Sequence, residues 1–456
     1  MLCTIKIIGA TQMNNAFDKI YGYQKEKDEL MRICDILKNR NEYEKVGIKA
    51  PHGLMIDGDP GVGKTLMAKC LIEESGCRFI EVKKDRPKKE FIERINKAFL
   101  MARQESVKDQ SKTYIVLLDD LDKFAESEDE AASSPNYEEF AVVQAEIDSV
   151  KDLNIFVIAT VNRVHVLPDS LRRTGRFDKT ITVYQPTVKD TAKIIEHYLD
   201  NKNVDRNEVN GELVAKLMER SPSSMIESVI NEAGTYAVYD KRTKISLDDI
   251  VRSVIRLKNN IDARYAPPCS ASELRRVAYH EAGHAVVSML SQSREPVIVC
   301  MGEGKECIGI TASHDIDCDI SDWKQMVEES MYYLGGKAGE YVEYNDLALG
   351  CCYDLDHVTY QIMRNVTREA SIGFDYYDTY YSETKNAPVL NDRIAVKINE
   401  KLQYYYDKTC QLLRQNKPLL DMVAEELLKK NYLSIVELNR IFDEYKKSHT
   451  PVYIEV

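Results

Sequence analysis

Short apolar runs alternate with helical stretches over roughly the first 185 residues. The runs are Leu54-Met55-Ile56, Phe79 to Val82, Ile115 to Leu118, Ile155 to Ala159 and Thr180 to Val183. Most are almost wholly apolar, as strands covered on both faces should be. Strands alternating with helices predict an open parallel sheet. From Thr187 to Leu257 the spacing turns helical, and Ser246 with Asp249 has the form of an N-terminal helix cap. Asn260 to Ala271 interrupts the period with two prolines and small residues, as a linker does. After it, Val358, Ile362 and Val366 recur every four residues, and so do Ile394, Ile398 and Leu402. Those stripes predict helices facing a core. The expected boundaries are 1–186 for the sheet module, 187–258 for a helical lid, 259–271 for the linker and 272–456 for a mostly helical domain. The apolar start of the chain carries a lysine and predicts an opening strand. The tyrosine-rich stretch from Phe374 to Tyr381 is expected to be surface loop or packing.

A length of 456 residues fits about three domains. Charged residues at 30% and hydrophobic ones at 44% exclude a wholly disordered or fibrous chain. Lys+Arg 62 against Asp+Glu 74 leaves −12, so the surface as a whole repels nucleic acid and anionic membrane. Eleven scattered cysteines with no CxxC offer neither a zinc ribbon nor a thioredoxin motif. They fit a reducing compartment, and the expected location is cytoplasmic. No stretch approaches the length of an apolar membrane span.

Gly58-Asp59-Pro60-Gly61-Val62-Gly63-Lys64-Thr65 fits GxxxxGK[ST], and it stands between a strand and a helical run that continues with Leu66. In such a loop the backbone N–H groups surround phosphate oxygens at a helix N-terminus. Lys64 is placed for the β- and γ-phosphates of a nucleotide and Thr65 for Mg²⁺. Ile115 to Leu118 runs into Asp119 and Asp120. Asp119 is placed to hold Mg²⁺, and Asp120 to polarise the attacking water. Farther on, an amide at a strand end (Asn162) can orient that water, and an arginine on a turn (Arg176) can reach a neighbouring subunit's phosphate. The plainer reading of Arg172, Arg173 and Arg176 is a solvated basic face.

His280-Glu281-Ala282-Gly283-His284 is an HExxH motif. On a helix its two histidines share one face and can bind one Zn²⁺, with Glu281 as general base. A catalytic zinc needs a third protein ligand. His314, Asp315, Asp317, Asp319, Asp354, Asp356 and His357 are all candidates by residue type.

The order of the first set of elements resembles an AAA+ ATPase. A P-loop module followed by HExxH resembles FtsH, the AAA+ zinc metalloprotease family, from about Phe17 to Tyr445. The resemblance implies an α/β AAA+ module with a helical lid, then a mostly α-helical zinc metallopeptidase domain. It implies ATP, Mg²⁺ and Zn²⁺ as cofactors, protein substrates and a hexameric ring. Asn162 matches the sensor-1 asparagine and Arg176 the arginine finger. His197 and Ile20-Tyr21-Gly22 match positions flanking the adenine, which adds Ile20, Gly22 and His197 to the nucleotide site. Cys352 to Thr359 matches the segment that carries the third zinc ligand, placing it at Asp354. Leu334 to Glu340 resembles another segment of the family. Cys307 to Thr311 is implied to be an edge strand that pairs with substrate backbone.

The chain also departs from that family. The usual membrane spans are not seen, so a soluble relative or docking on a membrane partner is expected. Asp120 replaces the usual glutamate, one methylene shorter; Asp120→Glu is expected to raise the ATPase rate, which a phosphate-release assay measures. Lys179 replaces a second finger arginine and loses its planar fork. The aromatic–apolar–glycine triplet that grips polypeptide is replaced by Val82 to Phe91, a basic run around Pro87. The expectation there is a solvated loop, with a pore selective for acidic substrates or Phe91 as a displaced grip as alternatives. Two rival functions are an ATP-driven remodeller with an idle zinc site, and a nucleic-acid remodeller using Lys83 to Lys89. Acidic balance and the missing DNA-binding motif weigh against the second.

Overall fold

The computed structural model describes residues 15–48, 50–84, 88–109, 112–125, 138–173, 175–304, 307–316, 322–346, 352–367 and 388–455. The expected opening strand, the tyrosine-rich stretch, Asp317, Asp319 and the centre of the basic run lie outside them. The chain divides into two compact units, 1–202 with 210–228 and 203–209 with 229–456. The division falls inside the helix Ser223–Tyr239.

The first unit is built on five parallel strands: β1 (Gly53–Gly58), β2 (Arg78–Lys83), β3 (Tyr114–Asp119), β4 (Ile155–Val161) and β5 (Lys179–Val183). Their order is β2-β3-β4-β1-β5. Each coincides with one of the apolar runs read from the sequence. β3 and β4 are buried at every position, because helices cover both faces of the sheet. Met55, Phe91, Phe99, Leu118, Phe124 and Phe140 share one core cluster. In a parallel sheet all carboxyl ends lie along one edge, where ligands bind. Gly58, Asp119 and the residues after Val161 therefore meet there.

In the second unit the helix Leu247–Leu257 starts with a reciprocal cap between Ser246 and Asp249. Arg242 grips both oxygens of Asp249 at 2.6 Å. The remaining strands are β6 (Ile261–Asp262), β7 (Arg294–Met301), β8 (Glu303–Gly304), β9 (Gly309–Asp315) and β10 (Tyr432–Ser434). The proline-rich stretch thus contains a two-residue strand, β6, paired antiparallel with β8. Among the described residues β7 lies between β10 and β9, which puts β9 at an edge. Helices Ala271–Met289, Trp323–Tyr344, Cys352–Thr367, Pro388–Gln415 and Lys417–Lys430 make most of the rest. Val358, Ile362, Val366 and Ile394 sit in its core, with Ile398 and Leu402 packed against it, as their spacing predicted. No helix among the described residues is long and apolar enough to cross a membrane.

Candidate functional site

The first candidate site forms at the carboxyl edge of the parallel sheet. β1 ends at Gly58, whose φ of +148° and close approach to the Val183 carbonyl exclude a side chain. The helix Lys64–Ser75 follows, with Gly63 at its N-cap and no side-chain cap, so its first N–H groups remain available to an anion. Asp59, Pro60, Gly61 and Val62 form the loop between them, and Leu66 is exposed on the first helical turn. Lys64 is buried, and its Nζ donates to the carbonyls of Gly58 (2.8 Å) and Asp59 (2.6 Å). Burial lowers its pKa, against the pull of the nearby carboxylates.

Asp119 at the end of β3 is nearly inaccessible. Its Oδ1 accepts from Thr65 Oγ1 and from Thr160 Oγ1, both at 2.8 Å. Burial opposes its charge, but hydrogen bonds from Thr65, Thr160 and Lys83 outweigh that and hold its carboxyl below the ordinary value. Asp120 adopts a left-handed backbone, φ +56°, a strained state for aspartate that clusters at functional positions. Its Oδ1 accepts from Asn162 Nδ2 at 3.3 Å, and its Oδ2 from Lys123 Nζ at 2.9 Å. Lys64, Thr65, Asp119, Asp120 and Asn162 are thus linked in one constellation. Thr160 belongs to it too. Sequence reading missed Thr160 because a threonine inside an apolar strand carries no local signal.

Ile20, Gly22 and His197 come from two segments that touch. The Tyr21 ring stacks on His197 at 3.7 Å, and a side chain at Gly22 would strike Asp190 on the helix Val188–Asp200. Ile20 is buried. Arg176 points to Asp148, with Nε at 3.1 Å and Nη2 at 2.6 Å from its two oxygens, and also donates to the Ser170 carbonyl. It is not part of a merely solvated basic face. The guanidinium holds the Asp148 carboxyl down to about 2. Phe91 is fully buried edge-on against Phe124, 4.5 Å between centroids, which removes it as a displaced grip. Lys83 differs from a solvated loop residue as well: its Nζ sits 3.0 Å from Asp119 Oδ2.

The second candidate site lies where the helix Ala271–Met289 crosses the helix Trp323–Tyr344. Glycines on both sides let the backbones touch. A Cβ at Gly335 would lie 2.8 Å from the Gly283 carbonyl oxygen, and one at Gly283 would overlap the Gly335 carbonyl. That crossing aligns Tyr332, Gly336 and Glu340, each four residues apart, along the HExxH face. Glu340 Oε1 lies 2.8 Å from His280 Nδ1. The Tyr332 carbonyl lies 2.7 Å from His284 Nδ1 and can only accept. Both Nδ1 atoms therefore carry protons, and both Nε2 lone pairs face inward.

Asp354 reaches the same point from the first turn of the helix Cys352–Thr367. Its Oδ2 is 3.5 Å from each Nε2, and the two Nε2 atoms are 3.2 Å apart. Among the described residues this is the only histidine, cysteine or carboxylate trio grouped closely enough to hold a metal ion. Three other candidates among the described residues stand apart from it. Asp315 pairs with Arg294 at 2.9 Å, and His357 packs on Tyr333 at 4.2 Å. Asp356 is exposed.

The trio fits a zinc ion. Three donors of the right type converge, each imidazole is fixed through its other nitrogen, and Gly336 leaves the space beside them open. In the metal-free chain burial opposes charge on His280, yet hydrogen bonds to Asp354 and Glu340 prevail and lift its pKa to about 10. Glu340→Gln is expected to weaken zinc affinity about tenfold, because it removes the charge that steadies His280. Competition against a chromophoric chelator measures this, and unchanged affinity would rule out the support role.

Glu281 is buried beside the trio, and its Oε2 accepts from Thr311 Oγ1 on β9 at 2.8 Å. Burial raises its pKa against the pull of both imidazoles. A side chain at Gly309, also on β9, would come within 2.6 Å of Glu281 Oε1.

Comparison with known proteins agrees with both geometries. Residues 54–185 match the ATPase family associated with various cellular activities (AAA), and residues 268–441 match peptidase family M41. The chain belongs to the FtsH-type AAA+ zinc metalloproteases. It is 28% identical over 459 residues to the ATP-dependent zinc metalloprotease FtsH of Thermotoga maritima, covering 94% of this chain and 73% of that protein. It is 29% identical to the FtsH of Mycoplasma genitalium, over 92% and 62% of the two chains. A mitochondrial relative from Oryza sativa subsp. japonica, ATP-dependent zinc metalloprotease FTSH 3, is 27% identical over 94% of this chain and 55% of its own. As an FtsH-type enzyme the protein is a metalloprotease with ATPase activity, using ATP, Mg²⁺ and Zn²⁺.

Proposed function

We propose that this FtsH-type enzyme spends ATP at the Gly58–Leu66 loop to unfold protein substrates and feed them to a peptidase site at His280, His284 and Asp354. The observation that carries the reading is the convergence of those three donors, with Glu281 buried beside them. The domain division that goes with it is 1–186, 187–258, 259–271 and 272–456.

At the nucleotide site Lys64 binds the phosphates, Thr65 and Asp119 hold Mg²⁺, Asp120 takes the water and Asn162 orients it. Ile20, Gly22 and His197 bound the base. Arg176 acts on the nucleotide of a neighbouring copy, which makes the site complete only in a ring, a hexamer by analogy with the family. Asp148 holds its guanidinium until that encounter.

At the peptidase site zinc, when bound, supplies Lewis acidity that brings a water's pKa to roughly 7 and polarises a carbonyl. Glu281 accepts the proton of the attacking water and passes it to the leaving amine. Thr311 fixes one carboxylate oxygen of Glu281 for this exchange. The edge of β9 away from β7 pairs with the substrate backbone and lays the scissile bond beside Glu281. The location that goes with this reading is the cytoplasm, with recruitment to membranes through a partner.

The reading is tested by casein degradation with ATP, without nucleotide and with a zinc chelator. Degradation that needs both ATP and zinc supports it. Degradation indifferent to ATP would remove the coupling. Lys64→Ala is expected to abolish ATP turnover while cleavage of short unfolded peptides partly survives, followed by phosphate release and peptide fluorescence. Loss of peptide cleavage with zinc still bound would mean the two sites are more tightly coupled.

A further inference from the structure

β2 and β3 run parallel with Lys83 in register with Asp119, so the two side chains meet at the carboxyl edge of the sheet. Both hydroxyls that reach Asp119, from Thr65 and Thr160, take its Oδ1. Its Oδ2 is covered by Lys83 Nζ at 3.0 Å, which also stands 3.7 Å from Asp120 Oδ2. Lys123 comes to Asp120 Oδ2 from the opposite side of the sequence, on the short turn Leu121–Ala125. Two adjacent carboxylates repel one another unless cations compensate them. Here two ammonium groups from separate segments do so. Asp119 is buried, whereas the Lys83 side chain is about half exposed, with 52% of its surface in solvent.

We propose that Lys83 is the resident counter-cation of the nucleotide site, which Mg²⁺ must displace, so that this lysine sets the Mg²⁺ concentration at which the site loads. The inference rests on the reading of the 58–66 loop as the ATP site. A magnesium ion binds oxygens at about 2.1 Å and demands near-octahedral order. An ammonium at hydrogen-bond distance from the outward oxygen of Asp119 competes with it for the same lone pairs and repels it. The lysine's flexible stem gives it an exit, since half of the side chain already stands in water. Lys123 then remains to compensate Asp120. The basic run that opens at the end of β2 thereby acquires a role for Lys83 at the nucleotide site, independent of any grip on substrate.

The test is binding of a fluorescent, non-hydrolysable ATP analogue to the full chain, titrated with Mg²⁺. Wild type is compared with Lys83→Met, which keeps the stem, and Lys83→Arg, which keeps the charge. Half-saturating Mg²⁺ is expected to fall about fivefold in Lys83→Met, the scale of a half-exposed ion pair. It should stay near the wild-type value in Lys83→Arg, and analogue affinity in EDTA should be the same in all three. An unchanged or higher Mg²⁺ requirement in Lys83→Met would overturn the proposal, as would equal shifts in Met and Arg. Should Lys83→Met fail to fold, as judged by its melting curve, Lys83→Gln serves with the same expected outcome. A wild type that binds no analogue at any Mg²⁺ concentration would instead overturn the reading of the loop as the ATP site.

Discussion

Glu281→Gln is expected to lower casein and peptide cleavage about 10²- to 10⁴-fold, the usual cost of losing a general base. The substitution keeps the shape and the hydrogen bond from Thr311 Oγ1, whose partner is the side-chain oxygen. It removes only the capacity to take a proton. Zinc content should stay at the wild-type level, because Glu281 is not one of the three converging donors. ATPase rate should also persist, since Glu281 has no part in the constellation around Asp119. The three readouts separate chemistry from folding and metal loss. Cleavage undiminished in Glu281→Gln, with zinc bound, would take Glu281 out of the mechanism and revive the remodeller reading with an idle zinc site.

Which parts of this arrangement can be read from residues alone follows from how local each signal is. The five parallel strands are legible because helices cover both faces, which forces continuous apolar runs such as Ile115 to Leu118. The GxxxxGK[ST] loop and HExxH are legible because each compresses its chemistry into a few consecutive positions. β6 is not legible: two residues cannot show a period, and prolines nearby read as linker. The third metal donor lies seventy residues beyond His284, by the difference 354 − 284, among seven candidates of suitable type. Residue type could not choose between them; the family resemblance pointed to Asp354, and the helix Cys352–Thr367 brings it to the histidines.

Lys83 shows the opposite error. A lysine opening a basic run reads as solvated, because charge runs usually are. Strand register overrides that expectation by setting Lys83 beside Asp119. Phe91 reads as exposed only if the segment around it is taken as a loop. It lies instead on the helix Lys88–Lys108, in the core. Tyr332, which fixes one imidazole, carries no signal until the crossing of two helices is known, and Glu340, which fixes the other, shows only as the end of a family-like segment with no role attached.

The same crossing predicts the largest separation between two similar substitutions. A Cβ at Gly336 would lie 2.5 Å from His284 Nε2 and against the ring of His280. It would occupy the space into which both lone pairs face. Gly336 is helical, so alanine costs the backbone nothing and is favoured there by about 1 kcal/mol. Gly336→Ala is therefore expected to keep the fold and lose the metal, from one zinc per chain to almost none, and with it all cleavage. Gly283, one position before His284, instead faces the Gly335 carbonyl and the Gly339 backbone, and a Cβ there would lie 3.2 Å from Gly339 Cα. Neither neighbour is a side chain that can swing away. Gly283→Ala should force the two helices apart and destabilise the second unit by about 3 kcal/mol, the upper range of overpacking. Zinc analysis by mass spectrometry and thermal melting in the presence of chelator distinguish the two. If Gly336→Ala retains stoichiometric zinc, the metal does not sit between the imidazoles and this helix. If Gly283→Ala melts like wild type, the close crossing that aligns Tyr332 and Glu340 on the histidines is not what holds them.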